Sequence, residues 1–142
     1  MERDGRTGQG NAFTRMSGPN PKQKALREDF TAIIASWGKS LAQSKTEFTR
    51  DSAIFRFELA YEVGWKLLQT LLREQGYEVN SPRQAFQRAF AIGWIRDEEI
   101  WDDIIRTRNN AVHIYREADA EALFAHLKRF HEAFRQLLDA VA

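Results

Sequence analysis

The sequence predicts an all-α fold, an antiparallel bundle of three or four long helices and one short one. Three observations carry that prediction. Apolar residues recur at three- and four-residue spacing along most of the chain after residue 20. Helix-start signals at Thr49, Ser81-Pro82 and Asp97, and glycine stops at Gly76 and Gly93, cut the pattern into segments. No strand-type alternation or hairpin turn interrupts it.

The elements follow in order. Met1 to Asn20 lacks periodicity and holds four of the eight glycines, and Pro19 and Pro21 close it. It reads as a flexible tail, residues 1–20, ahead of one helical domain, residues 21–142. Met16 is an alternative initiator. Leu26, Phe30, Ile33, Ile34, Trp37 and Leu41 form the stripe of a first helix. Thr49 is the expected cap of the next. Its main stripe is Ile54, Phe57, Tyr61, Gly64, Trp65, Leu68 and Leu72; Phe55, Leu59, Val63 and Leu67 add a second. That helix is therefore expected to be buried over most of its circumference, with Glu58, Glu62 and Lys66 as polar exceptions on one line. Gly76 suits its C-terminal end. Ser81 as cap, Pro82 at the first position and Gln84 as partner of a capping box start a short helix that Gly93 ends. Asp97 caps the next, whose face is Ile100, Trp101, Ile104 and Ile105. The last carries Leu123, Leu127, Phe130, Phe134, Leu137 and Val141, a heptad-like seam.

Composition narrows the function. At 142 residues the length is that of one domain, and 43% hydrophobic residues suffice for a core. With 21 Lys+Arg against 20 Asp+Glu the formal charge is +1, so bulk charge does not mark a nucleic-acid binder. Acidic residues outnumber basic ones between 96 and 121, so any anion site there rests on a few placed arginines. The absence of cysteine excludes disulfides, thiolate-held zinc and thiol catalysis. The longest apolar run, Ala89 to Ile95, is far short of the about 20 residues of a membrane helix. No secretory signal is visible at Met1, so a cytoplasmic location and no membrane association are expected. No phosphate loop, paired-aspartate metal centre or His-Glu-x-x-His run is present, so neither a nucleotidyl-transfer centre nor a metal site is expected, nor any cofactor.

One segment departs from plain core patterning: Arg106-Thr107-Arg108-Asn109-Asn110-Ala111-Val112-His113-Ile114-Tyr115. The stripe Trp101, Ile104, Ile105 continues to Arg108, an arginine where the pattern calls for a hydrophobe. Burying it is costly unless a carboxylate or bound anion meets it. Glu58 and Glu62 are the candidate carboxylates; a phosphate matches the guanidinium fork equally well. Asn109 and Asn110 favour a helix end or kink. In an ideal helix Arg108 and His113 stand about 140° apart. They meet only through a break at the asparagines or through two subunits. Asn109 and His113 share a face. On pattern alone, a structural salt bridge or cap for Arg108 and intrahelical pairing along Glu58, Glu62 and Lys66 are the commoner roles of such residues. His126 and His131, five apart, lack chelating spacing.

Phe57-Glu58-Leu59-Ala60-Tyr61-Glu62-Val63-Gly64-Trp65-Lys66, Gln75 to Arg83, Ala89-Phe90 to Gly93, Asp97 to Trp101, and Arg108-Asn109 to His113-Ile114-Tyr115 together resemble the nucleotidyltransferase substrate-binding family. That family lies within the HEPN superfamily of helical domains, and the resemblance covers about residues 22–140. It implies an all-α, antiparallel up-and-down bundle of four to five helices that forms a homodimer, with the motif near its groove. It also implies a separate minimal nucleotidyltransferase as partner, the two forming a toxin–antitoxin-like pair, with RNA or a nucleotide as ligand. By the same resemblance Arg108 would bind a scissile phosphate, His113 would move protons and Asn109 would orient them. Glu62, Lys66 and Arg106 would support the site. Tyr115 matches a tyrosine that some partner enzymes modify with AMP. Two readings result: a binding and regulatory partner of a nucleotidyltransferase, and a metal-independent endoribonuclease toxin using Arg108 and His113.

Overall fold

The computed structural model describes residues 20–111 and 116–142. Among the described residues there are five helices and no strand: α1 (Pro21–Ala42), α2 (Glu47–Glu74), α3 (Pro82–Ala91), α4 (Glu98–Asn110) and α5 (Glu117–Val141). Residues 1–19 of the sequence-predicted tail, His113 and Tyr115 lie outside the described residues.

Local chemistry sets the helix starts. Asn20 accepts the Gln23 amide at 2.7 Å, and Pro21 occupies the first position of α1. The start of α2 corrects the expectation for Thr49. Thr46 is the cap, and Thr49 sits three residues inside, so the two side chains bond each other's backbone reciprocally. Both threonines can cap, and the helix takes the earlier one because that gives each hydroxyl a partner. Ser81 caps α3 as expected. Gln84, however, accepts the Asn80 amide at 2.7 Å rather than that of Ser81. Asp97 caps α4 at 3.2 Å. Gly76 and Gly93, each following a helix end, have φ of 93° and 92°, a region closed to most side chains.

Contacts at the helix ends give the directions. Asn20 and Gln23 at the start of α1 bond Glu74 at the end of α2, so these two run antiparallel. Arg27 bonds the Val141 carbonyl, so α1 also opposes α5. Arg50 in the first turn of α2 bonds Glu117 and Glu121 at the start of α5, so α2 and α5 run parallel. Ile95 to Ile100 face Glu132 to Leu137 across a cavity of about 240 Å³, which sets α4 against α5. The result is an up-and-down bundle of α1, α2, α4 and α5, with short α3 packed on α2 and α4.

The core is aromatic. Phe57 is fully buried, with Trp37, Phe130 and Phe134 at 5.9, 5.7 and 6.5 Å between ring centroids. Trp101 bridges Phe86 and Phe134 at 4.7 and 4.8 Å. The whole α5 seam, Leu123 to Val141, is buried as its spacing predicts. Gly64 lets α1 approach α2 closely: a Cβ there would stand 3.0 Å from the Phe30 ring. The second stripe of α2 is a partial correction. Leu67 is buried, Leu59 and Val63 are half-buried, and Phe55 is 59% exposed. The reason is topological: α1, α3 and α5 cover three sides of α2 and leave one face open.

Arg50 is a buried charge that the sequence reading passes over. Its side chain is 4% exposed and meets Glu117, Glu121 at 2.9 Å and Asp51 at 3.0 Å. The carboxylates of Glu117, then Glu121 and Asp51, hold its proton above even the usual arginine range. The cluster clips the first turn of α2 to the first turns of α5, which has no side-chain cap of its own. Removing one member of such a pair strands the other charges. Arg50→Met is therefore expected to lower the melting temperature by several degrees, measured by circular dichroism. An unchanged melting temperature would mean the clip contributes nothing.

Candidate functional site

The site forms where α2 and the last turn of α4 meet. Trp101, Ile104 and Ile105 turn α4 inward and are buried, and that face carries Arg108 to the edge of the core. Its Nε stands 2.7 Å from Glu58 Oε1 on α2. The two side chains are 27% and 33% exposed, so the pair is partly desolvated. The pair is close without being aligned. Arg108 Nε is buried and has no aligned hydrogen-bond acceptor among the described residues. The guanidinium also lies 5.4 Å from the Tyr61 ring. The Arg108 Nη groups make no hydrogen bond to a described residue, and the side chain is 27% exposed, so those donors remain available. A planar oxyanion can use them, because guanidinium donors are arranged as a fork.

Burial pushes the Glu58 carboxyl above its usual range, and the Arg108 charge offsets part of that. Glu62 behaves oppositely. It accepts from Lys66 at 2.8 Å, and that bond holds its carboxyl low against the burial effect. Of the two candidate carboxylates, then, Glu58 meets Arg108, and Glu62 is engaged by Lys66 on the same helix. Arg108 still acts on Glu62 at longer range, so all four charges share one neighbourhood. Arg106 does not join them. Two residues from Arg108 on α4, it points to solvent and pairs with Asp103. Asn109 is exposed in the last turn, which ends at Asn110, where two asparagines favour an end. Tyr61, which the sequence placed only in the core stripe, is the residue missed here.

The other histidines serve structure. His131 bonds the Ile34 carbonyl at 3.0 Å and meets Trp37 edge-on at 5.0 Å. His126 stacks on Phe130 at 5.6 Å. Among the described residues no cluster of three His, Cys, Asp or Glu could hold a metal ion. No described helix is long and apolar enough to cross a membrane.

These charges predict a pH response. The carboxyls of Glu62 and Glu121 are held low by their partners, and Glu132 is held down to about 2 by Arg135. A lowered carboxyl adds stability above its unfolded range, lost as pH falls toward the folded value. Glu58 is raised, so protonation relieves its burial and works the other way. Three lowered groups oppose one raised group. The melting temperature is therefore expected to fall steadily from pH 5 to pH 2.5, and Arg135→Gln should flatten the lower part of that fall. A melting temperature that rises on acidification would contradict the assignment.

The comparisons with known proteins fit this arrangement. The family model described as nucleotidyltransferase substrate binding protein like matches residues 23–142. A crystal structure of a Thermus thermophilus protein is 32% identical, with a TM-score of 0.71, over 78% of this chain and 96% of that one. No curated protein matches the chain. Helical architecture, matched span and similar structure agree: the chain belongs to the nucleotidyltransferase substrate-binding protein-like family.

Proposed function

We propose that this protein is the HEPN-type binding and regulatory partner of a minimal nucleotidyltransferase, one half of a toxin–antitoxin-like pair. It holds a phosphate-bearing group, of RNA or a nucleotide, at Arg108 with His113. The observation that carries this reading is the guanidinium of Arg108, held at the core edge by Glu58 through Nε, 27% exposed and with Nη donors that bond no described residue. Asn109 and His113 complete the motif, and Tyr115 is a candidate for modification by the partner. Nucleotidyl transfer belongs to the partner in this reading; among the described residues no cluster of three His, Cys, Asp or Glu could hold a metal ion.

The second reading, a metal-independent endoribonuclease, draws on the same arginine and on the spacing to His113, whose imidazole can exchange protons near neutral pH. Total cellular RNA in EDTA separates the two, with wild type beside His113→Ala. The binding-partner reading expects intact RNA from both. Cleavage by wild type alone would replace it with the ribonuclease reading.

The protein pairs with a second copy through the open face of α2. Phe48 and Phe55, seven residues apart on one stripe, are 79% and 59% exposed. At roughly 200 Å² per phenylalanine, they offer roughly 280 Å² per copy, about a third of what one partner buries in a standard interface. Phe55→Glu is expected to convert a dimer to a folded monomer by light scattering. A monomeric wild type, or a variant that stays dimeric, would overturn this face.

A further inference from the structure

We propose that Arg83 and the Tyr61 hydroxyl complete the anion site with Arg108, so that one phosphate group is gripped from α2, α3 and α4 together. This rests on the reading of Arg108 as a phosphate-binding residue and adds two groups to it.

Tyr61 lies at the junction. The residue is 4% exposed, and its ring lies 5.6 Å from Phe86 on α3 and 5.4 Å from the Arg108 guanidinium on α4. Its hydroxyl feels four charged side chains from three helices: Arg108, Arg83, Glu62 and Glu58. Burial dominates and pushes its pKa up, so the hydroxyl keeps its proton near neutral pH and is a hydrogen-bond donor. A protonated phenol against one guanidinium and within the field of a second suits an anion.

Arg83 needs an explanation of its own. It stands second in α3, directly after Pro82, in a first turn without any acidic residue. A cation there opposes the helix dipole, which favours negative charge at this end. Arg83 is exposed and forms no ion pair with a described carboxylate. It lies three residues before Phe86, on the face of α3 that reaches Tyr61. A locally unfavourable arginine that acts on the Tyr61 hydroxyl together with Arg108 has a use if an anion sits between the two. The balance of charge allows it: Glu62 is taken by Lys66, leaving Glu58 against Arg83, Arg108 and the positive end of α3.

The chemical class is a phosphate ester, and two sources share it: a free nucleotide and an RNA backbone. The test titrates the full chain with AMP and, separately, with a short single-stranded oligoribonucleotide at several salt concentrations. Arg83→Gln, Tyr61→Phe and Arg108→Ala accompany wild type, each with its melting temperature. Arg83→Gln is expected to weaken binding about tenfold, as loss of one charge-assisted contact does, and to reduce the RNA salt slope by about 0.7. Its melting temperature should hold or rise, because the dipole conflict is gone. Tyr61→Phe should weaken binding severalfold with the ring packing intact. Weakening with AMP identifies a nucleotide site; weakening with RNA alone identifies a backbone site. If Arg108→Ala weakens binding and neither other variant does, this inference is wrong and the Arg108 reading survives. If wild type binds neither probe, or Arg108→Ala binds as well as wild type, the reading fails and this inference with it.

Discussion

Arg108→Ala is expected to weaken binding of phosphate-bearing ligands by roughly ten- to a hundredfold, the range of one to two charge-assisted hydrogen bonds. Binding is one consequence and stability the other. Glu58 would stay half-buried with its counter-charge gone. Burial already pushes its carboxyl upward, and Arg108 is what restrains it. The variant should therefore be less stable at pH 7 by about 1 kcal/mol, below the cost at a fully buried pair because both groups are partly solvated. A carboxyl raised in the folded state is relieved by protonation, so the deficit should shrink as pH falls through the raised value. Glu58→Gln added to Arg108→Ala should restore stability without restoring binding. Glu58→Gln alone should bind phosphate ligands more tightly than wild type, because it removes the internal competitor. Equal ligand affinity in wild type and Glu58→Gln would mean that Glu58 does not hold the arginine against the ligand.

Phe57→Ala is expected to cost about 3–5 kcal/mol, the usual range for emptying a buried aromatic position. Phe57 has no exposed surface and touches Trp37, Phe130 and Phe134, so it links α1, α2 and α5. The backbones of these helices are fixed by other contacts, so the void cannot collapse fully. Against a total stability of about 5–15 kcal/mol, that is a large share. For a domain of this size the melting temperature should drop by roughly 10–20 °C. Thermal unfolding followed by far-UV circular dichroism reads it. A drop of only a few degrees would show that the aromatic cluster is not where the bundle keeps its stability.

Much of the bundle was legible because 3.6-residue periodicity survives in the buried faces. The α5 seam is the clearest case, every predicted position being buried. The second stripe of α2 misled, because apolar character does not say which side has a neighbour; Phe55 faces the open side. The start of α2 was ambiguous because Thr46 and Thr49 both cap well.

At the site, Arg108 stood out as a break in an apolar stripe, and the structure places it against the core edge. The same signal was available for Arg50, seven residues before Phe57 on the inner face of α2, and would have flagged its burial. Its three carboxylate partners come partly from sequence 67 and 71 residues away. The choice of Glu58 over Glu62 depends on the rotation and axial offset of α2 against α4, which no local pattern encodes. Tyr61 was hidden by looking like ordinary core, which its ring is; only its hydroxyl belongs to the site.

The most direct test mixes the purified protein with a minimal nucleotidyltransferase, the proposed partner, from the same organism and measures the mass of the eluting species by light scattering. The account predicts one stable complex at micromolar concentration, containing both chains. Separate elution of two folded proteins under the same conditions would contradict it.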